Sequence, residues 1–170
     1  MIDLAACIDQ FSQQTQTLRS LASGISLEQA RWKPDPESWS ILEVVNHLAD
    51  EEREDFRTRF KHILDQVEGM PPNIDPQGWI TGRGYNQRDP DESLARFLAA
   101  REESLAWLRT LDNPTLDVRI ETPFGGLSAG DMLMAWLAHD LLHQRQLVEL
   151  RYLYLREQAN PYHLGYAGDW

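Results

Sequence analysis

Residues 128–157, SAGDMLMAWLAHDLLHQRQLVELRYLYLRE, decide the fold. Ser128-Ala-Gly-Asp131 resembles a capping box, and the pattern behind it predicts one long helix reaching about Glu157. Met132, Trp136, His139, His143, Leu147, Leu150 and Tyr154 recur at helical spacing on one stripe, with Arg145, Glu149 and Arg156 opposite. His139 and His143 therefore lie one turn apart within the core-facing stripe, where an unpaired polar group costs free energy. Two readings follow. Each imidazole hydrogen-bonds a neighbour, or the pair points at a metal. A third histidine from a neighbouring helix would complete a three-nitrogen face with an open position, the arrangement a catalytic metal needs.

Outward from this helix, three more long helices announce themselves. The first runs from about Asp3 to Leu21, with Leu4, Ile8, Phe11, Thr15, Leu18 and Ala22 as the seam of a bundle helix. Ser26-Leu-Glu-Gln29 opens a short turn that stops before Pro34. Ser40-Ile-Leu-Glu43 is a second capping box, opening a helix expected to reach about Val67. Asp89-Pro-Asp-Glu92 opens the third long helix, with Asp89 as N-cap and Pro90 in the first helical position. Four long helices in a single domain of 170 residues predict an all-α four-helix bundle. The stretch Glu68–Arg88 reads as a long crossover loop, letting the second and third helices run parallel; Trp79 and Tyr85 are its aromatic anchors. Between Leu111 and Leu127, Asp-Val-Arg-Ile-Glu suggests a short extended piece.

Composition narrows the partners. Twenty-seven acidic against 16 basic residues give a net charge of −11, and the only lysines are Lys33 and Lys61. Such a surface repels phosphate backbones and anionic lipid, so neither nucleic acid nor a membrane is an expected partner. No apolar stretch approaches the ~20 residues that span a bilayer. The N-terminal segment lacks signal-peptide grammar, and the single cysteine, Cys7, has no intramolecular partner; a cytoplasmic setting is the expectation.

The third histidine in question is His47, in Val-Val-Asn-His47-Leu-Ala-Asp-Glu. It sits at the edge of the stripe Ile41, Val44, Val45, Leu48 and Phe56, beside Glu43 and Glu51. That edge reads as solvent or as a site mouth, with Glu51 as fourth ligand, general base or a partner to a ligand. The charge run Asp50–Asp55 reads as a solvated face.

Taken together, Trp39-Ser-Ile-Leu-Glu-Val-Val-Asn-His47-Leu-Ala, Phe124-Gly-Gly-Leu-Ser and His139-Asp-Leu-Leu-His143-Gln-Arg-Gln resemble the DinB/YfiT-like superfamily, as does the C-terminal Gly165-Tyr-Ala-Gly-Asp-Trp170. The resemblance spans nearly the whole chain. It implies an up-down-down-up four-helix bundle with a divalent metal at one end, held here by His47, His139 and His143, and the family's long connection at Glu68–Arg88. Three imidazoles suit zinc or nickel. Each ring needs an outer partner for its other nitrogen, and Asn46, Asp140 and Gln144 stand nearby in sequence.

The resemblance also implies function. Members include thiol S-transferases that use a low-molecular-weight thiol, and metal-dependent hydrolases. Both depend on an open metal position that makes a nucleophile at neutral pH, with a small-molecule substrate, Glu51 as a base, and Arg83 or Arg88 as anchors for an anionic thiol. The alternatives are a non-catalytic, stress-associated bundle that binds metal or ligand, and a metal-free interaction module. Leu133, Leu137, Leu141, Val148 and Leu155 give the last helix a second apolar face, which fits either a homodimer or cover by the long loop. Of the remaining residues, Cys7 reads as core, His62 as exposed, His163 as part of the tail, Trp79 as a loop anchor or substrate contact, and Gly125-Gly126 as a turn.

Overall fold

A computed structural model describes residues 3–123 and 125–168. Phe124, Asp169 and Trp170, which belong to the motifs quoted above, lie outside the described residues. Every α-helix except α4, which continues the rod of α3, starts where a side chain satisfies free N–H groups of its first turn. Asp3 caps α1 (Leu4–Ala22), accepting from Ala5 and Ala6. Ser26 caps the short α2 (Leu27–Arg31). Ser40 and Glu43 form both halves of a capping box on α3 (Ile41–Glu51). That helix continues through a π-turn, Glu52–Phe56, into α4 (Arg57–Leu64). At the π-turn the Thr58 hydroxyl donates to the Arg53 carbonyl, five residues earlier, at 2.6 Å. The second bundle helix is thus one rod with an extra residue in its middle, and it ends at Leu64, short of Val67.

The long connection is more ordered than its composition suggested. It holds α5 (Pro76–Gly82), capped by Asp75, and a 3₁₀ turn at Tyr85–Gln87. Asp89 then caps α6 (Pro90–Leu108). The expected extended piece is a hairpin: β1 (Arg119–Thr122) pairs antiparallel with β2 (Gly125–Ser128), Arg119 opposite Ser128. Gly125, at φ 114°, takes the left-handed conformation that closes it. Ser128 is at once the last strand residue and the N-cap of α7 (Ala129–Gln158), so the hairpin aims the longest helix directly.

Cross-helix contacts give the directions. Asn46 meets Ser93 and Glu52 meets Arg101, so α3 and α6 run parallel. Phe11 packs on Trp136 and the Leu21 carbonyl accepts from Arg151, so α1 and α7 run parallel too. His47 lies by His139 and Phe56 by Trp136, so α3 runs against α7. This is an up-down-down-up four-helix bundle. Its core has two apolar clusters, one around Phe11, Phe60, Leu108 and Trp136, the other around Leu18, Val44, Phe97 and Leu147. Between them lies a buried polar layer containing Gln14, Glu52, Arg101 and Asp140. Among the described residues, no helix is long and apolar enough to cross a membrane.

Candidate metal centre

The core-facing stripe of α7 is as the sequence spacing requires: Met132, Trp136, Leu147 and Leu150 are buried, and the two histidines lie within it. His47 comes from the second turn of α3. The structure decides between its two readings, because it is only 4% exposed. The Trp39 ring meets it edge-on at 4.8 Å and stacks on His143 at 6.2 Å, while the α7 histidines close the other side. These covers come from other elements, so the wheel of α3 alone places His47 at an edge.

All three rings present Nε2 to one point. His139 Nε2 lies 3.4 Å from His47 Nε2 and 3.0 Å from His143 Nε2. Glu51 joins them, its Oε2 standing 2.9 Å from His139 Nε2 and 3.5 Å from His47 Nε2. Burial, reinforced by the neighbouring His139, pushes His47 and His143 down to about 3, so both rings are neutral at ordinary pH.

This donor set fits a divalent cation. A tetrahedral centre with metal–nitrogen bonds of about 2.0–2.1 Å sets its ligand nitrogens about 3.3 Å apart. His143 Nδ1 faces Gln146 Oε1 at 2.8 Å; donating there leaves its Nε2 lone pair free for a metal. Three imidazole Nε2 atoms aimed at one point cannot all satisfy one another, whereas a cation takes all three lone pairs. His47 Nδ1 is buried without a partner. Gln146 is therefore the outer partner, missed because it sits three residues after His143 on a face the stripe does not mark. Asn46, Asp140 and Gln144 do not take that role. Asn46 bonds Ser93, Arg88 and Arg96, Asp140 bonds Arg101, and Gln144 Nε2 is buried without a partner.

The charge run Asp50–Asp55 is not a solvated face. Asp50, Glu51 and Glu52 are buried. Asp50 accepts from Tyr85 Oη at 2.5 Å, Arg83 at 2.6 Å and Arg96 at 2.6 Å. Burial opposes its ionisation, but the Tyr85 and Arg83 hydrogen bonds and the Arg96 charge outweigh it and lower its pKa. Glu52 is held by Arg101 at 2.8 and 2.7 Å and by Trp136 Nε1 at 3.0 Å. Asp55 is raised by burial, opposed by Arg59 and reinforced by Glu51. Asp55 pairs locally with Arg59, four residues on, but the partners of Asp50 and Glu52 named here stand just after α5, on the 3₁₀ turn, on α6 and on α7, out of reach of any local pattern.

The other expected site residues stay apart. Arg83 is committed to Asp50 and Glu54, and stacks over Trp79 at 4.1 Å. Arg88 donates to Asn46 and to the Arg83 carbonyl, so both arginines fasten the crossover segment to α3. His62 is half-buried instead of exposed, with Nε2 2.9 Å from the Gly69 carbonyl, and His163 lies exposed in the tail. Cys7 is buried, and burial together with Asp3 pushes its thiol up, away from reactivity. A groove of about 1550 Å³ opens between the start of α1, the end of α6 and the hairpin, lined by residues such as Leu4, Ile8, Pro114 and Met134 and by no histidine.

The comparisons with known proteins agree with this fold. The family model of the DinB superfamily matches residues 10–147. Among solved structures, the chain is similar to YfiT from Bacillus subtilis, described as a probable metal-dependent hydrolase with an unusual four-helix bundle topology. The TM-score is 0.76 at 21% identity, over 88% of each chain. No curated protein matches.

Proposed function

This chain belongs to the DinB superfamily, and from that premise we propose that it is a metal-dependent enzyme of hydrolase or thiol S-transferase type. Its divalent metal, zinc or nickel, would be held by His47, His139 and His143. The observation that carries the reading is the convergence of three Nε2 atoms on one point beside a buried carboxylate. The description of YfiT as a probable metal-dependent hydrolase supports the hydrolase version. A divalent cation in this place supplies Lewis acidity, lowering the pKa of a water or thiol at its open position.

The chain's own residues then have separable tasks. Gln146 fixes the His143 tautomer and turns Nε2 inward. Trp39 and Phe56 wall the histidines with apolar rings, which keeps the local dielectric low and strengthens every charge interaction inside. Glu51 Oε2 holds or receives the proton of the nucleophile, within hydrogen-bond reach of the site. Arg83 and Arg88 hold the crossover segment against α3.

One observation favours a second reading. Glu51 is close enough to His139 and His47 to occupy the fourth position, and the large groove lies elsewhere. A closed four-ligand site would make the protein a non-catalytic metal-binding bundle. Metal content decides first. Tag-free protein purified without nickel resin is measured by plasma mass spectrometry beside His139→Ala/His143→Ala. Near-stoichiometric zinc or nickel in the first and none in the second is expected; no metal in either, even after reconstitution, overturns the reading. Water exchange on the loaded protein then separates an open site from one closed by Glu51.

A further inference from the structure

Arg101 is the least expected side chain in the bundle: a guanidinium 1% exposed, in the polar layer between the two apolar clusters. The rings of Phe11, Phe97 and Trp136 surround it, with centroids 5.0, 5.3 and 6.0 Å from its central carbon. It grips two carboxylates at once. Nε and Nη2 donate to Glu52 at 2.8 and 2.7 Å, and Nη1 and Nη2 donate to Asp140 at 2.6 and 2.9 Å. Trp136 Nε1 donates to Glu52 as well. Glu52 is the chain neighbour of Glu51, and Asp140 is the chain neighbour of His139. The two residues that the guanidinium locks are therefore adjacent to the two site groups that approach each other at 2.9 Å.

We infer that Arg101, Glu52 and Asp140 form a positioning clamp that sets Glu51 and His139 against each other for the metal. The inference rests on the metal reading above. α6 contributes none of the three histidines, yet through Arg101 it ties the α3 side of the site to the α7 side. Rigid, bidentate geometry on both carboxylates is what a fork of planar donors provides and a lysine does not. The clamp falls where the rod needs it, because Glu52 opens the π-turn, and an inserted residue leaves the helix register to be fixed by side chains.

The charge balance points the same way. One guanidinium against two carboxylates leaves a net negative charge in a buried layer. Apolar residues of similar volume commonly stabilise as well as a buried ion pair or triad, so stability alone gives little reason to retain this one. A divalent cation beside it offsets the surplus, and the clamp in turn favours the cation.

The test uses the full chain with cobalt(II) as the probe, because its visible d–d bands report ligand geometry as well as binding. Three variants are compared with the wild type: Arg101→Lys, which keeps charge but loses the fork; Glu52→Gln/Arg101→Met/Asp140→Leu, which leaves no unpaired buried charge; and Glu51→Gln. Leu108→Ala, two turns beyond Arg101 on α6 and in the cluster of Phe11 and Phe60, controls for simple loss of stability. A tenfold or greater loss of cobalt affinity is expected in folded clamp variants, in the range usual for outer partners of metal ligands. Their bands should move towards those of Glu51→Gln, while Leu108→Ala keeps the wild-type spectrum. Clamp variants that fold and show wild-type affinity and bands overturn the inference and leave the metal reading standing. A wild type that binds no cobalt overturns the metal reading and this inference together, and is recognised because Glu51→Gln gives the same blank trace.

Discussion

Asp50, Glu51 and Glu52 are acidic residues and buried, whereas Met134, Leu141, Val148 and Leu155 are apolar and 45%, 50%, 38% and 56% exposed. The first group lies on α3 at the π-turn, the second on the outer face of α7. Polarity alone does not decide burial; available partners do. Each buried carboxylate has donors or site groups aimed at it from other helices, which offsets the cost of removing charge from water. The apolar stripe of α7 faces away from the bundle, and α7 is already filled on its inner side by Trp136, Leu147 and Leu150.

The sharpest way to break this comparison is to remove a partner and leave the charge. Arg101→Met strands Glu52 and Asp140 without a cation, and we expect a loss of about 3–5 kcal/mol in denaturant unfolding. A loss below about 1 kcal/mol would mean that water reaches the polar layer and the carboxylates are not truly desolvated. Asp50→Asn is milder, since the one amide oxygen still accepts either from Tyr85 and Arg83 or from Arg96, while the other acceptor and the charge-assisted bonds are lost. About 2–3 kcal/mol is expected, together with faster proteolysis within 65–88, because Asp50 anchors that segment through Tyr85 and Arg83. Unchanged proteolysis would transfer the anchoring role to Arg88 and Asn46.

Acid sharpens the same contrast. His47 and His143 are depressed to about 3 in the folded, metal-free protein, against about 6.5 unfolded. Below 6.5 the unfolded chain binds more protons than the folded one, so stability falls as pH drops from there towards 3. Asp50, also depressed, adds its own loss only below its ordinary value of 3.8, and Asp55, raised, acts in the opposite sense. Metal-free protein should lose on the order of 2 kcal/mol between pH 7 and pH 5.5, read as a falling denaturation midpoint. A flat midpoint across that interval would show that the histidines are solvated.

How much of this was legible follows from where the information sits. The helix starts at Asp3, Ser40, Asp89 and Ser128 were readable because a cap and the N–H that donates to it lie within three residues. The histidine pair was readable for the same reason, being one turn apart. Asp75-Pro76 carries the same grammar as Asp89-Pro90, but α5 is only seven residues long and contains Gly78 and Gly82, which weaken the helical signal. The burial of His47 and the fate of Asp50–Glu52 were not readable. Trp39 and the α7 histidines cover the one, and Arg83, Arg96 and Arg101, dozens of residues away, neutralise the others. Gln146, Trp39 and Arg101 escaped because their importance lies in what they touch.

The smallest expected effect tests the other half of the comparison. Of the second apolar face read from the sequence, Leu133 and Leu137 are buried in the core, while Leu141, Val148 and Leu155 stay exposed; with Met134 these recur at every seventh residue, a single line along the outer face of α7. In an isolated chain these side chains give up little apolar contact on substitution, and Leu141→Gln should change stability by no more than about 0.5 kcal/mol. Unfolding is measured across a hundredfold range of protein concentration, because a homodimer formed on this face couples folding to association and makes the midpoint rise with concentration. A concentration-independent midpoint, with wild type and Leu141→Gln superimposed, leaves the stripe an exposed face. A midpoint that climbs in the wild type and flattens in the variant makes the line of α7 a self-complementary interface, and the exposed leucines then obey the same rule as the buried carboxylates.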